Sequence, residues 1–437
     1  MTGNTASAPA FRVRWRIFSL LVSFAMVVYF QQRSVTIAAE RIMPELSLSQ
    51  MQIGWLQWAF LLSYTCMQFP GGVLGQRMGG RRALTVMMLV AVIATAALPL
   101  APDVLSGSAV FLALLGSQFV LGLAHGPFSP VCAGVMEAWL PASRWGLAQG
   151  LHTMGLQVGA ALAPPVLVIL MQAFGWQSAL FWASLPPLAL IFLWVRYGRN
   201  TPQEHPGVVP AELAELEPAA QQTPDFNIGA ARIRAILLNP DILRMTLSYI
   251  FMNYVFYLIA NWCFLYLVQE RGFVALEGGW LASLPPIAAA VGAGSGGFLV
   301  DRLCRRFGVT QGFRLLPAIA LPASGLLLLA AAYGHNAYIA VAALTLSFGV
   351  LELTESCYWA GTMRVARGDT MAATGVMNTG GNLGGLIGIP IVAYLSGHQA
   401  WETAFLLGLG CALVATLLWL GVDVARPLPE TDAVVHA

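Results

Sequence analysis

The chain has 437 residues, of which 58% are hydrophobic and 10% are charged, and its formal net charge is +2. Soluble domains carry about 25% charged residues, so this composition excludes a soluble globular fold. The basic residues are too few to neutralise a run of nucleic-acid phosphates. The composition predicts an all-α polytopic membrane protein that lies in the lipid bilayer and does not bind nucleic acid.

The first apolar stretch follows Arg12, Arg14 and Arg16, which is the charge pattern at the start of a secretory signal. The stretch is too long for such a signal and lacks a small-residue cleavage site. We therefore expect it to stay in the protein as the first membrane anchor.

Apolar stretches long enough to cross a bilayer recur along the whole chain. A transmembrane helix needs about 20 such residues, and short polar or Pro/Gly-rich breaks separate one stretch from the next. The pattern predicts twelve transmembrane helices, with approximate ranges 17–39, 53–74, 83–101, 109–138, 147–173, 178–195, 245–268, 279–300, 315–333, 337–363, 372–396 and 401–423.

The basic residues predict the orientation of these helices. All 22 are arginine, which is typical of a GC-rich bacterial genome. Cytoplasmic loops are enriched in basic residues, and with both termini inside, 19 of the 22 arginines fall on cytoplasmic segments. Arg33 lies within the first span, and Arg41 and Arg271 lie outside. We predict a multi-pass protein of the bacterial inner membrane with cytoplasmic termini.

One long polar segment, about 196–244, divides six spans from six, and it contains several prolines and the acidic residues Glu212, Glu215 and Glu217. We predict an N-terminal six-helix bundle (1–195), a cytoplasmic linker (196–244) and a C-terminal six-helix bundle (245–437). A weak repeat supports duplicated halves: GGVLGQRMGGRR at 71–82 is similar to GGFLVDRLCRRFG at 296–308. Repeated halves with a site between them are the architecture of many secondary transporters.

Arg33 is the strongest candidate for substrate binding. A charge within a span costs about 2.5–3.5 kcal/mol on insertion scales and usually marks a functional site. The guanidinium offers a planar fork of donors that matches a carboxylate, which a lysine does not. The alternative is that Arg33 reaches the outer headgroups, because it lies nearer the outer end of its helix.

Glu352 and Glu355 are candidates for proton coupling. They lie one turn apart on the tenth predicted span, so they share a face and cannot both stay ionised cheaply in a low dielectric. We prefer Glu355, because Trp359 lies one turn further along. The alternative is that one glutamate pairs with a membrane arginine and holds two helices together.

His125 lies in the segment AHGPFSP, where Gly126, Pro127 and Pro130 loosen the helix. An imidazole titrates near neutral pH and is a candidate proton site; a neutral histidine bonded across helices is the alternative. His152 in the fifth span has less support.

Polar side chains at four-residue spacing indicate helix faces that point into the bundle. Their amides and hydroxyls suit a polyol chain, and Trp262 and Trp359 suit its apolar face. The alternative is that these groups only join helices, as polar residues do in membranes. The candidates are Tyr64, Gln68, Asn253, Tyr257, Asn261, Asn378 and Asn382.

The loop 71–82 and its weaker copy resemble the signature loop of the major facilitator superfamily. Within it, the segments 54–82, 253–273, 281–302 and MNTGGNLGGLIGIP at 377–390 resemble the anion:cation symporter family. The resemblance implies proton- or sodium-driven movement of organic anions through an arginine in the first helix. We expect the loop arginines Arg77, Arg81 and Arg82 to latch the cytoplasmic ends of the helices in one conformation, consistent with alternating access, with Asp301 and Arg302 of the second copy in the same gating role. The alternative is that the arginines only set the orientation in the membrane.

The sequence departs from the family pattern at positions that carry coupling or gating. Gln32 stands where the family has an aspartate before Arg33. In the fourth span, Gln118 and His125 replace an arginine and a glutamate, and Gln76 replaces the aspartate of the signature loop. The substrate class is therefore a safer expectation than the coupling mechanism.

We predict a monomeric secondary transporter that imports a small organic anion, a sugar acid or related carboxylate, with a proton or sodium as coupling ion. The alternatives are an uncoupled or exchange-type exporter, and a membrane sensor of such anions. The six cysteines lack metal-binding spacing and fall mostly in apolar runs, so we expect no metal, no cofactor and no enzymatic activity.

Overall fold

The computed structural model describes residues 13–216, 228–274, 277 and 280–429, and these residues form helices and connecting turns without a β-strand. The helices are α1 (Val13–Glu45), α2 (Gln50–Met78), α3 (Gly80–Val104), α4 (Ser108–His125), α5 (Phe128–Trp139), α6 (Trp145–Ala183), α7 (Pro186–Tyr197), α8 (Pro210–Ala214), α9 (Ala230–Leu238), α10 (Pro240–Gln269), α11 (Leu284–Phe307), α12 (Val309–Tyr333), α13 (Ala337–Glu352), α14 (Glu355–Val365), α15 (Thr370–Gly397) and α16 (Trp401–Leu420).

The helices agree with twelve membrane passes. In the described residues, ten helical stretches are long and apolar enough to span a membrane. One of them, Ala142–Tyr197, has 56 residues and turns at Gly175 (φ 78°), between two predicted spans. The 29-residue α2 is not among the ten, because its hydropathy is lower, yet it carries the predicted span 53–74. Counting the long stretch as two passes and adding α2 gives the predicted twelve.

Two spans are broken near their middle. The fourth span divides into α4 and α5 at Gly126 and Pro127, where the proline cannot donate a backbone hydrogen bond. The tenth divides into α13 and α14 at Leu353 and Thr354. The sequence predicted that Glu352 and Glu355 lie one turn apart on one continuous helix. Instead, Glu352 is the last residue of α13 and Glu355 is the first residue of α14. The breaks occur at equivalent positions of the two halves.

The repeated loops have the same backbone geometry. Gly79 joins α2 to α3 with φ 78°, and Gly308 joins α11 to α12 with φ 85°. This left-handed region is readily adopted only by glycine. The repeat seen in the sequence thus corresponds to the same sharp turn in each half.

The two halves pack against each other through α2 with α15 and through α6 with α11. A Cβ atom added at Gly72 would lie 2.2 Å from the Met371 carbonyl oxygen, and one at Gly150 would lie 2.4 Å from that of Ala293. Small residues allow such close contact of membrane helices. The predicted division at 195 and 245 stays a prediction; α7 ends at Tyr197 and α10 begins at Pro240.

The described part of the predicted linker contacts both halves. Arg14 in α1 forms a buried ion pair with Glu212 (3.1 Å) and a second pair with Glu215 (3.0 Å). Arg232 in α9 pairs with Asp369, which precedes α15. Glu217, the third residue of the predicted acidic stretch, lies outside the described residues. Charge pairs therefore hold the described parts of this segment against the helices.

Candidate functional site

A cavity lies between the two halves, and it encloses about 610 Å³ of empty space, including space open to solvent. Four helices of each half contribute side chains to it: α1, α2, α5 and α6, and α10, α13, α14 and α15. The lining residues are Tyr29, Tyr64, Ser129, His152, Thr153, Leu156, Gln157, Tyr249, Asn253, Phe256, Tyr257, Glu352, Glu355, Trp359, Asn378 and Asn382.

Nine residues that the sequence singled out line this cavity, and His152, the candidate with less support, is one of them: Tyr64, His152, Asn253, Tyr257, Glu352, Glu355, Trp359, Asn378 and Asn382. Sequence reasoning missed Tyr29 and Tyr249. Each had a signal, because Tyr29 lies one turn before Arg33 and Tyr249 extends the Asn253 stripe by one turn. Sequence reasoning also missed Thr153 and Gln157, which stand at the same four-residue spacing on α6. Ser129 had no such pattern.

Glu355 accepts two hydrogen bonds on one oxygen. The Tyr249 hydroxyl donates to Oε1 at 2.7 Å, and the Trp359 indole Nε1 donates to the same atom at 2.9 Å. Donors of this kind stabilise a carboxylate anion. Trp359, chosen from its spacing, therefore holds Glu355 directly.

Glu352 has a different environment. Its side chain is 1% exposed, and both carboxylate oxygens lack a hydrogen-bond partner within the described part of the chain. An ionised carboxylate without partners is costly in a low-dielectric interior. This environment favours the neutral, protonated form of Glu352.

An amide network joins the two halves beside the cavity. Asn378 Nδ2 donates to Gln68 Oε1 at 2.9 Å, and the Tyr257 hydroxyl donates to Asn382 Oδ1 at 3.1 Å. Gln68 is fully buried and does not line the cavity. Gln68 therefore lies behind Asn378 and connects to the cavity only through that residue. The sequence had predicted that Gln68 contacts the ligand directly.

Arg33 does not line the cavity; it lies one turn after the lining residue Tyr29 on α1, a position that we call the rim. The side chain is exposed, and no hydrogen bond or ion pair of Arg33 occurs among the described residues. The guanidinium interacts electrostatically with Tyr29 and Tyr257, which both line the cavity. Its donors are therefore available to a ligand that enters past these tyrosines.

The two candidate histidines within the spans, His125 and His152, differ in position. His125 is 1% exposed but does not line the cavity; its ring meets the edge of Phe60 at 6.4 Å. His152 lines the cavity and stacks on Phe128 at 5.7 Å, and its Nε2 has no hydrogen-bond partner in the described chain. The proton role of His125 stays a prediction, while His152 is the histidine that faces the cavity.

Two further polar residues of α10 lie away from the cavity wall. Asn261 is exposed, and Trp262 meets the Trp401 ring at 6.5 Å. Both are nearer the end of α10 than Tyr257. The predicted stripe on α10 therefore contacts the cavity only at Asn253 and Tyr257.

The halves are joined at one end of the bundle, which we call the arginine-rich face because it carries Arg77, Arg144, Arg305 and Arg364. The Asp301 carboxylate accepts hydrogen bonds from the backbone N–H groups of Gly146 (3.2 Å) and Leu147 (2.9 Å) at the start of α6. A carboxylate at a helix N-terminus is favourable. Asp301 therefore caps a helix of the opposite half.

Three more contacts close this face. Arg364 donates to the Ala142 carbonyl at 2.7 Å, and Gln76 donates to the Gly368 carbonyl at 2.5 Å. The Glu137 carboxylate accepts from the Gly368 N–H at 2.9 Å. Together with the Asp301 cap, these hydrogen bonds join the halves at the arginine-rich face, and the bond from Asn378 to Gln68 joins them beside the cavity.

Three other predicted gating residues do not bridge the halves in this way. Arg77 donates to the Ile228 carbonyl in the linker at 3.1 Å, and Arg81 donates to the Val195 carbonyl of its own half at 2.5 Å. Arg302 is exposed. Their gating role stays a prediction, and Gln76 shows that an uncharged residue at the aspartate position still contacts the opposite half.

We expect Asp301→Ala to open the arginine-rich face more often. Loss of a helix cap costs roughly 0.5–2 kcal/mol, which shifts the equilibrium about two- to thirtyfold. The measurement is labelling of Ser129→Cys from the arginine-rich side, in a protein without its native cysteines. Asp423→Ala is the control, since Asp423 bonds to Thr310 of its own half. Unchanged labelling would show that the cap does not hold the face closed.

Comparison with known proteins agrees with this architecture. Residues 21–388 match the model of the Major Facilitator Superfamily. The chain is 27% identical to "Probable sulfoacetate transporter SauU" of Cupriavidus necator, over 98% of each chain. It is 26% identical to "Hexuronate transporter" of Bacillus subtilis over 90% of each chain, and 25% identical to "Probable galactarate/D-glucarate transporter GudP" of Escherichia coli over 93% and 92%.

Solved structures show the same fold. The proton:xylose symporter XylE superposes with a TM-score of 0.75 at 12% identity, covering 96% of this chain and 98% of the other. FucP in an outward conformation gives 0.68 at 15% identity, covering 93% and 99%. The chain therefore shares its overall fold with these two proteins. Because the family model covers residues 21–388, this chain belongs to the Major Facilitator Superfamily.

Proposed function

We propose that this transporter moves a small organic anion, a sugar acid or related carboxylate or sulfonate, across the membrane. The observation that carries the proposal is the polar cavity between the halves, with the unpaired Arg33 guanidinium at its rim. The named relatives carry sulfoacetate, hexuronate or galactarate and glucarate, all of which present an acid group that a guanidinium binds well.

Transport proceeds by alternating access in this proposal. The cross-half contacts at the arginine-rich face separate as the two halves rock, and the cavity then opens on that side. Close glycine contacts such as that of Gly72 with Met371 favour rigid-body rocking of the two halves, because few interdigitated long side chains have to separate. The observed arrangement is the one closed at the arginine-rich face.

A proton is the proposed coupling ion. The sequence favoured Glu355 as the residue that binds this proton, but the hydrogen-bond partners of the two glutamates favour Glu352. Two donors stabilise the anionic form of Glu355, whereas Glu352 has no hydrogen-bond partner among the described residues and favours a bound proton more strongly. Opening toward the arginine-rich face would hydrate Glu352 and release that proton. A second candidate, uncoupled exchange, is favoured by Gln32, which cannot titrate where relatives have an aspartate.

The test is uptake of labelled hexuronate, glucarate and sulfoacetate into proteoliposomes, with and without a pH gradient. We expect saturable uptake of at least one acid that rises when the outside is acidified. Equal uptake with and without the pH gradient would support uncoupled exchange instead. Specific binding of an acid without any transport would support a sensor and contradict the proposal.

Both termini and the linker lie in the cytoplasm in this proposal, because 19 of the 22 arginines then face inward. We expect Val209→Cys, at an exposed linker position, to react with impermeant maleimide only in inside-out vesicles. Val104→Cys, exposed at the opposite end, is the reciprocal control. Labelling of residue 209 in intact cells would contradict the orientation.

A further inference from the structure

The charge of the cavity wall is unusual for a site that binds a simple anion. Among the described residues that line it are two glutamates, Glu352 and Glu355, and neither an arginine nor a lysine. A wall of this composition favours a substrate that also carries a positive charge over one that carries only negative charge. Protonation of Glu352 removes one of the two charges, but Glu355 remains.

Glu355 has an oxygen left for a ligand. Both hydrogen bonds from Tyr249 and Trp359 end on Oε1, and the side chain is only partly buried. Its Oε2 makes no described hydrogen bond. The carboxylate is therefore held in place and still able to accept from a donor in the cavity.

Aromatic rings surround the same space. Six of the lining residues are aromatic, and they come from both halves: Tyr29, Tyr64, Tyr249, Phe256, Tyr257 and Trp359. Aromatic faces attract ammonium groups through their quadrupoles, and this attraction grows when water is excluded. Carboxylate and rings together form the chemistry that recognises an organic cation.

The opposite charge lies at the rim. Arg33 lies one turn after Tyr29 on α1, and Glu355 lines the cavity together with Tyr29 and Tyr257, so a positive and a negative charge lie near the same tyrosines. Arg33 and Glu355 are not joined to each other by a described ion pair. The space between them thus has a positive pole and a negative pole.

We infer that the substrate is a zwitterion, an organic acid that also carries an amine or ammonium group. Its acid group contacts Arg33, and its cationic group contacts Glu355 and the aromatic rings. The inference rests on the proposed function, because it concerns the same cavity and specifies which class of organic acid it binds. It assigns Glu355 to substrate selection and leaves the proton to Glu352.

The experiment compares pairs of acids that differ only by an amine in place of a hydroxyl. The pairs are taurine with isethionate, β-alanine with 3-hydroxypropionate, and glucosaminate with gluconate. Competition for binding to the purified protein and uptake into proteoliposomes are measured for each. We expect the amine of at least one pair to be preferred by tenfold or more, and Glu355→Gln to reduce that preference to about one.

Glu40→Gln is the matched control, because Glu40 is an exposed carboxylate of α1 that does not line the cavity. It should leave the preference unchanged. Preference of the wild-type protein for the hydroxy acids would overturn the zwitterion inference and leave organic-anion transport standing. Persistence of the amine preference in Glu355→Gln would also overturn it. Failure of all six compounds would overturn the inference, while transport of hexuronate or glucarate would still support the proposed function. The comparison of amino and hydroxy acids on the wild-type protein tests the inference even if Glu355→Gln does not fold.

Discussion

Arg33→Lys is expected to lower kcat/KM for the transported acid by roughly ten- to hundredfold while the protein stays folded. The lysine keeps the positive charge, but it replaces a planar fork of donors by a single ammonium. Hydrogen bonds to charged groups contribute about 1.5–3 kcal/mol, which corresponds to this range. Arg33 has no described protein partner, so the loss falls on the ligand and not on the fold. The measurement is initial-rate uptake at several substrate concentrations.

Arg41→Lys provides the matched control for this prediction. Arg41 lies on the same helix, is also exposed, and does not line the cavity. The same chemical change there should leave uptake within about twofold of the wild-type value. Uptake by Arg33→Lys close to that of the wild type would mean that Arg33 only contacts lipid headgroups, as the sequence alternative holds.

Glu352→Gln is expected to abolish concentrative uptake and to preserve exchange. Glutamine has nearly the shape of a protonated glutamic acid, so the closed cavity should keep its packing. It cannot release or take a proton. With one coupled proton, a pH gradient of one unit supports accumulation of about tenfold, since one pH unit equals about 1.4 kcal/mol. The variant should therefore reach an accumulation ratio near one while exchanging labelled for unlabelled substrate.

Glu402→Gln tests whether loss of any carboxylate has this effect. Glu402 is exposed in the first turn of α16 and lies outside the cavity wall. Accumulation should be normal in that variant. If Glu352→Gln concentrated substrate normally, the proton would have to be carried elsewhere, and the same assay on His125→Gln would examine the remaining histidine prediction.

The sequence by itself determined the membrane class, the twelve passes and the repeated halves. Apolar length and arginine placement are local properties, because a bilayer demands about 20 apolar residues of every spanning helix whatever its neighbours do. Four-residue polar spacing also identified Asn253, Tyr257, Asn378 and Asn382, since a polar face on a membrane helix has to turn away from lipid. Such residues are found without knowledge of which helices meet.

Only the tertiary structure decided which environment each functional candidate occupies. Glu352 and Glu355 look alike in sequence, yet the break between α13 and α14 leaves one without partners and brings the other to Tyr249 and Trp359. His125 and His152 are both buried, but only His152 faces the cavity. Asp301 finds its partners 154 and 155 positions away, at the start of α6. Each of these outcomes depends on which helix of one half contacts which helix of the other, and periodicity along a single helix carries no information about that contact.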